Sequence, residues 1–187
     1  AYIFENLPAG SYNVVTKDEN DCETTPELII ITQPDELTIT IENILQLDCF
    51  GDTDGVINVS INGGSLPYTI VWEKEGGFLS NSEDISNLSS GTYQLFVDDN
   101  QSCSVTSAEI EIIQPVELIL QLESSENPSC NGINDGEIHV SITGGTPPYL
   151  FSIDNGTTWQ STGDFYNLPD GNYTILAKDN KDCSKST

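Results

Sequence analysis

The chain has 187 residues, with 30 Asp and Glu against 5 Lys and no Arg, a formal charge of −25 and 36% apolar residues. That balance excludes nucleic acid as a partner, since little here could neutralise phosphates, and it argues against docking on an anionic membrane surface. No apolar run approaches the roughly 18 residues needed to insert into a bilayer, and Gly and Pro are near ordinary usage, so small folded domains are expected.

In chain order, the first signal is Leu7-Pro8-Ala9-Gly10-Ser11-Tyr12, which recurs as Leu88-Ser89-Ser90-Gly91-Thr92-Tyr93 and as Leu168-Pro169-Asp170-Gly171-Asn172-Tyr173. The shifts are 81 and 80 residues, and they also carry Cys22 to Cys103 to Cys183. The 81-residue shift alone carries Cys49 to Cys130, Gln33-Pro34 to Gln114-Pro115 and Gly63-Gly64 to Gly144-Gly145. Tandem modules are the consequence. Proline lacks the donor that would continue a sheet, so the Gln-Pro pairs make natural boundaries. They give a partial module over 1–33, a full one over 34–114, and a second over 115–187 that lacks its last strand. Such bounds are those of a segment cut from a longer array.

Within a module, short strands alternate with turn signals. Glu36–Ile41 opens it. Gly55–Ile61 alternates Ile57, Val59 and Ile61 with polar residues, as a half-buried strand does. Gly63-Gly64 breaks the pattern, Tyr68–Trp72 resumes it, and a short piece comes next at Asp84-Ile85. Tyr93–Val97 alternates again before Asp98-Asp99-Asn100, and Ala108–Ile113 closes the module. Six or seven strands at this spacing, with no helical period, predict an all-β fold: tandem immunoglobulin-like antiparallel sandwiches in an elongated array, each adding about 35 to 45 Å. The recurrent Leu-x-x-Gly-x-Tyr is similar to a tyrosine corner, which assigns Tyr12, Tyr93 and Tyr173 a hydroxyl bond to backbone a few residues upstream.

Cys130-Asn131-Gly132-Ile133-Asn134-Asp135-Gly136, followed by Gly144-Gly145-Thr146-Pro147-Pro148-Tyr149, resembles the SprB repeat of gliding-motility adhesins in Bacteroidota. The earlier copy runs Cys49 to Gly55 and then Gly63 to Tyr68. The resemblance implies a large secreted cell-surface protein, exported by a type IX system and serving in adhesins or surface filaments. The expected role is a structural and adhesive segment of a long extracellular fibre used in gliding, attachment or prey capture. Its partners would be neighbouring repeats of the same chain, identical chains in a multi-chain filament, and a surface glycan at a distant tip. The competing reading is a carbohydrate-binding array on a secreted polysaccharide-degrading protein.

No nucleophile, base and orienting group recur together, so no catalytic site is expected. His139 stands where Asn58 stood, pointing away from Ile138 and Val140, and reads as a solvated surface residue. Trp72 reads as core, whereas Trp159 reads as loop-borne and able to stack on a sugar. The recurrent acidic turns are the better candidates for a site. Asp98, Asp99 and Asn100, with Asp179, Asn180 and Asp182, and the separate Asp52 and Asp54, offer hard oxygen ligands suited to calcium. The competing reading is that Asp and Asn simply suit the turn.

Two cysteines per module suggest disulfides in an oxidising compartment. Three pairings are open: Cys49 to Cys103 with Cys130 to Cys183 inside modules, Cys22 to Cys49 with Cys103 to Cys130, or Cys49 to Cys183 across a junction. The turn before the second strand and the turn after the sixth lie at opposite ends of such a sandwich, about 25 Å apart, whereas a disulfide needs Cα atoms within about 7 Å. Head-to-tail stacking brings those unlike ends together, which makes Cys49 to Cys183 the leading choice. Cys22 and Cys103 would then pair upstream and Cys130 downstream.

Overall fold

The computed structural model describes residues 3–187, and among them it contains sixteen strands and no helix. Strands β1 (Gly10–Val14) and β2 (Glu27–Ile31) pair antiparallel as a separate two-stranded unit. The first sandwich is built from β3 (Thr38–Leu45), β4 (Gly55–Asn62), β5 (Thr69–Lys74), β6 (Gly77–Ser80), β7 (Ile85–Leu88), β8 (Gly91–Asp98), β9 (Ser104–Thr106) and β10 (Ile110–Ile112). The second comprises β11 (Ile119–Glu126), β12 (Gly136–Thr143), β13 (Leu150–Ser152), β14 (Asp164–Leu168), β15 (Leu176–Lys178) and β16 (Ser184–Ser186).

In the first sandwich β3-β4-β7 faces β10-β8-β5-β6, with β9 also on β8. This split of consecutive antiparallel strands over two sheets is an immunoglobulin-like arrangement. Alternation explains it. Ile57 and Val59 of β4 point inward against Trp72 of β5 and Leu95 and Val97 of β8, and all five are buried. Each such side chain contributes roughly 2 kcal/mol by leaving water. Trp72 is fully enclosed, and its indole N–H donates to Glu83 O at 3.1 Å, so burial leaves no polar atom unpaired.

The second sandwich repeats this with β11-β12-β14 against β13-β15-β16. Its core exchanges sizes across the layers. Trp72 and Ile85 of the first sandwich correspond to Ile153 and Phe165 of the second, so the bulky ring moves to the opposite sheet. Total volume is roughly kept, the kind of change cores tolerate best. Both sandwiches carry a bulge in the first strand, at Glu42 and Glu123, whose carboxylates accept from the hydroxyls of Ser60 and Ser141.

Two short strands, β6 and β9, lie outside the sequence expectation. In β6 the signal is Glu75-Gly76, both at positive φ (52° and 81°), a two-residue hairpin turn between Lys74 and Gly77. The second sandwich replaces β6 with a loop in which Asp154 accepts from the Thr158 N–H and hydroxyl and from Ser152 Oγ, which holds its carboxyl down at about 2.

Candidate functional site

The recurrent motifs meet at the ends of the sandwiches. Gly64 N donates to Asp35 O at 2.8 Å, and Gly145 N to Val116 O at 2.8 Å. A Cβ on Gly63 or Gly144 would lie 1.9 Å from a carbonyl oxygen, that of Glu36 or Glu117, so only glycine fits there. Tyr68 and Tyr149 lock the same loops by donating to Gly63 O and Gly144 O.

The acidic turns clamp these loops from the far side. One oxygen of Asp99 accepts from Cys103 N and Gln101 N, both at 2.8 Å, while the other accepts from Ser65 N at 2.9 Å. Those N–H groups, Cys103 foremost, hold the Asp99 carboxyl below its ordinary value against the opposing effect of burial. Asp179 repeats the arrangement with Lys181 N, Cys183 N and Thr146 N. Asn100 N and Asn180 N donate to Ser65 O and Thr146 O.

The other acidic candidates are engaged separately. Asp98 accepts from Ser104, Asp182 pairs with Lys178 at 2.7 Å, and Asp52 accepts from Cys49 N. Asp54 sits just before β4 and is exposed. Among the described residues no three His, Cys, Asp or Glu side chains gather as a metal-binding group. The carboxylates of Asp99 and Asp179 serve as acceptors for their own turns, which is the turn chemistry of Asp.

The three corner tyrosines donate to backbone four residues upstream: Tyr12 to Pro8 O at 2.6 Å, Tyr93 to Ser89 O at 2.7 Å and Tyr173 to Pro169 O at 2.8 Å. His139 departs from a freely solvated position. It is half-buried between Asp164 at 2.8 Å and Glu137 at 3.3 Å, with the Tyr166 ring set edge-on. Asp164 first and Glu137 second raise its pKa. Trp159 is loop-borne but half-buried, and the Lys178 ammonium lies 4.9 Å from its ring centre, so one face is already occupied.

The junction between the sandwiches is the most developed site. Cys49, in the bend between β3 and β4, is bonded to Cys183, in the turn between β15 and β16, with Cα atoms 5.5 Å apart. Cys103, Cys130 and Cys22 are free and exposed. Around the bridge, Lys181 Nζ meets Asp48 at 2.8 Å, which raises the lysine pKa, and Cys183 Sγ lies 3.2 Å from Asp48 O. Gln114, of the Gln-Pro connector, accepts from Gly51 N at 2.9 Å. Sequence reasoning placed Gln114 at the module boundary but missed Gly51 as its partner and the pairing of Asp48 with Lys181. The one available signal was a lysine beside Cys183 in a chain with so few cations.

Several solved structures resemble the chain. The fibronectin(III)-like modules of Clostridium thermocellum CbhA match at 13% identity and a TM-score of 0.35, over 80% of this chain and 90% of that one. Extracellular domains 3–5 of Drosophila OTK match at 14% identity and a TM-score of 0.34, over 96% and 68%. No curated protein matches the sequence. The sequence model of the SprB repeat matches twice, over residues 39–76 and 122–158, stretches that run from the first strand of each sandwich through the Gly-Gly loop, so the chain carries two SprB repeats.

Proposed function

We propose that the chain is a non-catalytic, load-carrying segment of a long extracellular fibre on a bacterial cell surface, used in gliding, attachment or prey capture. The observation that carries this is the Cys49 to Cys183 bond, which ties the start of one sandwich to the far end of the next. A linker between independent domains bends by default. A covalent bond beside the connector, with the Asp48–Lys181 pair and the Gln114 bond, removes that freedom. The acidic surface keeps a long protein soluble, and screening to about 8 Å at physiological ionic strength lets such arrays run side by side.

Small-angle scattering on the oxidised and reduced chain tests the reading. The oxidised chain gives the profile of one rigid rod of two sandwiches, and reduction broadens the distribution of inter-module angles without unfolding either sandwich. Equal flexibility in the two states would remove the mechanical role.

A further inference from the structure

Where the two sandwiches meet, the chain leaves an open crevice beside the Cys49–Cys183 bridge, lined by Phe50, Pro115 and Val116 together with Glu117, Asp182 and Lys185. The bridge and the bond from Gly51 N to Gln114 Oε1 hold Phe50, which lies between Cys49 and Gly51, against the connector. Its side chain is nevertheless 50% exposed. On the connector itself Val116 is 73% exposed and Ile113 54%. The repeat does not need these three apolar side chains in order to fold. Thr32 and Asp35 stand in the preceding connector where Ile113 and Val116 stand here, and Asn131 stands in the second sandwich where Phe50 stands in the first. The local backbone is the same with either side chain. Asp35 O accepts from Gly64 N as Val116 O does from Gly145 N, and Asp52 N donates to Cys49 O as Ile133 N does to Cys130 O. The apolar surface therefore belongs to this junction and serves something other than the fold.

Charge marks the same place. The chain has 5 lysines against 30 carboxylates, and three of those lysines gather here. Lys181 pairs with Asp48 at 2.8 Å, Lys185 with Glu117 at 2.9 Å and Lys178 with Asp182 at 2.7 Å. Of the other two, Lys17 lies in the turn after β1 and Lys74 at the end of β5. The carboxylates around the crevice thus carry their own counter-charges. An acidic partner finds these cations already engaged, and a basic partner meets more unpaired carboxylate elsewhere on the surface. What fits is a second apolar patch whose charges are already paired, and the chain has such a patch in its own junction.

The structure assigns this crevice to a second copy of the chain. The two junctions meet across a two-fold axis, a self-complementary contact in which Phe50 of each copy packs against Val116 of the other. Elsewhere two copies would bring unpaired carboxylates together, which opposes contact. At the junction the burial of Phe50, Val116 and Ile113 works against the weakest repulsion the surface offers. Salt then strengthens the association, because it screens the remaining repulsion between the chains and leaves the apolar contact intact. The proposal deepens the fibre reading and rests on it for its use: rods running side by side are joined at the bridged junction, the place that bends least.

Sedimentation equilibrium of the whole oxidised chain, over a concentration series at low salt and at about 0.5 M sodium chloride, tests this. The expected result is an equilibrium between a 20.3 kDa monomer and its dimer, with the dimer fraction rising as salt is added. The double variant Phe50→Asn, Val116→Asp takes the residues that the other copies of the repeat carry at those places. It keeps the melting temperature and the Cys49–Cys183 bond and weakens dimerisation by at least about tenfold. Val116→Asp alone, which leaves the residue beside the bridge untouched, weakens it in the same direction. A chain that stays monomeric at every concentration and salt, a dimer that weakens as salt rises, or one as tight in both variants overturns the proposal. The fibre-segment reading survives each of these results, because scattering from the oxidised and reduced monomer tests it separately.

Discussion

Asp99 and His139 each tie a single charge to the fold, and they act in opposite directions with pH. The folded Asp99 carboxyl titrates below its ordinary value of 3.8 because Cys103 N, Ser65 N and Gln101 N favour the anion. Its contribution is therefore present above that value and is lost as the pH falls through the lower, folded pKa. Melting temperatures measured from pH 5 to pH 2 should fall for the native chain, and Asp99→Asn should start lower and flatten that fall. His139 titrates above its ordinary 6.5 because Asp164 and Glu137 favour the cation. Its contribution is complete below 6.5 and fades as the pH rises through the folded value. Since this is the sole histidine in the chain, its proton NMR titration is unambiguous. The midpoint should lie above 6.5 and move down in Asp164→Asn.

At the scale of the element, the Gly-Gly loop decides whether a sandwich closes. Gly63 and Gly144 have φ of 78° and 77°, and each faces a carbonyl where a Cβ would stand. Gly63→Ala should destabilise the first sandwich by more than about 3 kcal/mol, at the severe end of single substitutions, whereas Gly76→Ala, with open space around it, should cost only the strain of its positive φ, about 1 kcal/mol. Chemical denaturation of the two variants separates these cases. The same contrast explains what could be read in the sequence. Strands β4, β8 and β12 are legible because one face is buried and the other is wet, which imposes strict alternation. Strand β6 is not, because it is a short edge strand whose Phe78 is 70% exposed. The corner tyrosines and acidic turns are legible through recurrence alone. What Asp99 accepts from Ser65, 34 residues away, is not, since no local pattern marks a contact between two loops. The junction divides similarly: opposite sandwich ends gave a reason to consider Cys49 with Cys183, while Asp48 with Lys181 joins residues 133 apart and has no counterpart in Ser129 and Gln101.

For the whole molecule, the consequence of the junction bond is where tension goes. Pulling between the two ends of the chain would normally open each sandwich in turn, since each sheet is held by hydrogen bonds and apolar contacts alone. Here the load reaches Cys49 shortly after entering the first sandwich and crosses directly to Cys183, near the exit of the second, so the loop of sequence separation 134 bears no stretching force. Fully extended, that loop would span about 450 Å at roughly 3.4 Å per residue. The segments outside it supply only about 180 Å. Single-molecule pulling on the oxidised chain should therefore stop near the shorter length however high the force, with no unfolding step from β4 to β15. Reduction, or Cys49→Ser, should restore the missing length as separate steps for the two sandwiches, at unchanged individual unfolding forces. A full-length trace from the oxidised chain would mean that the bond does not form in solution, whereas the shorter trace would mean that tension draws out only the segments outside the bridged loop, with β3 and β16, while β4 to β15 stay folded.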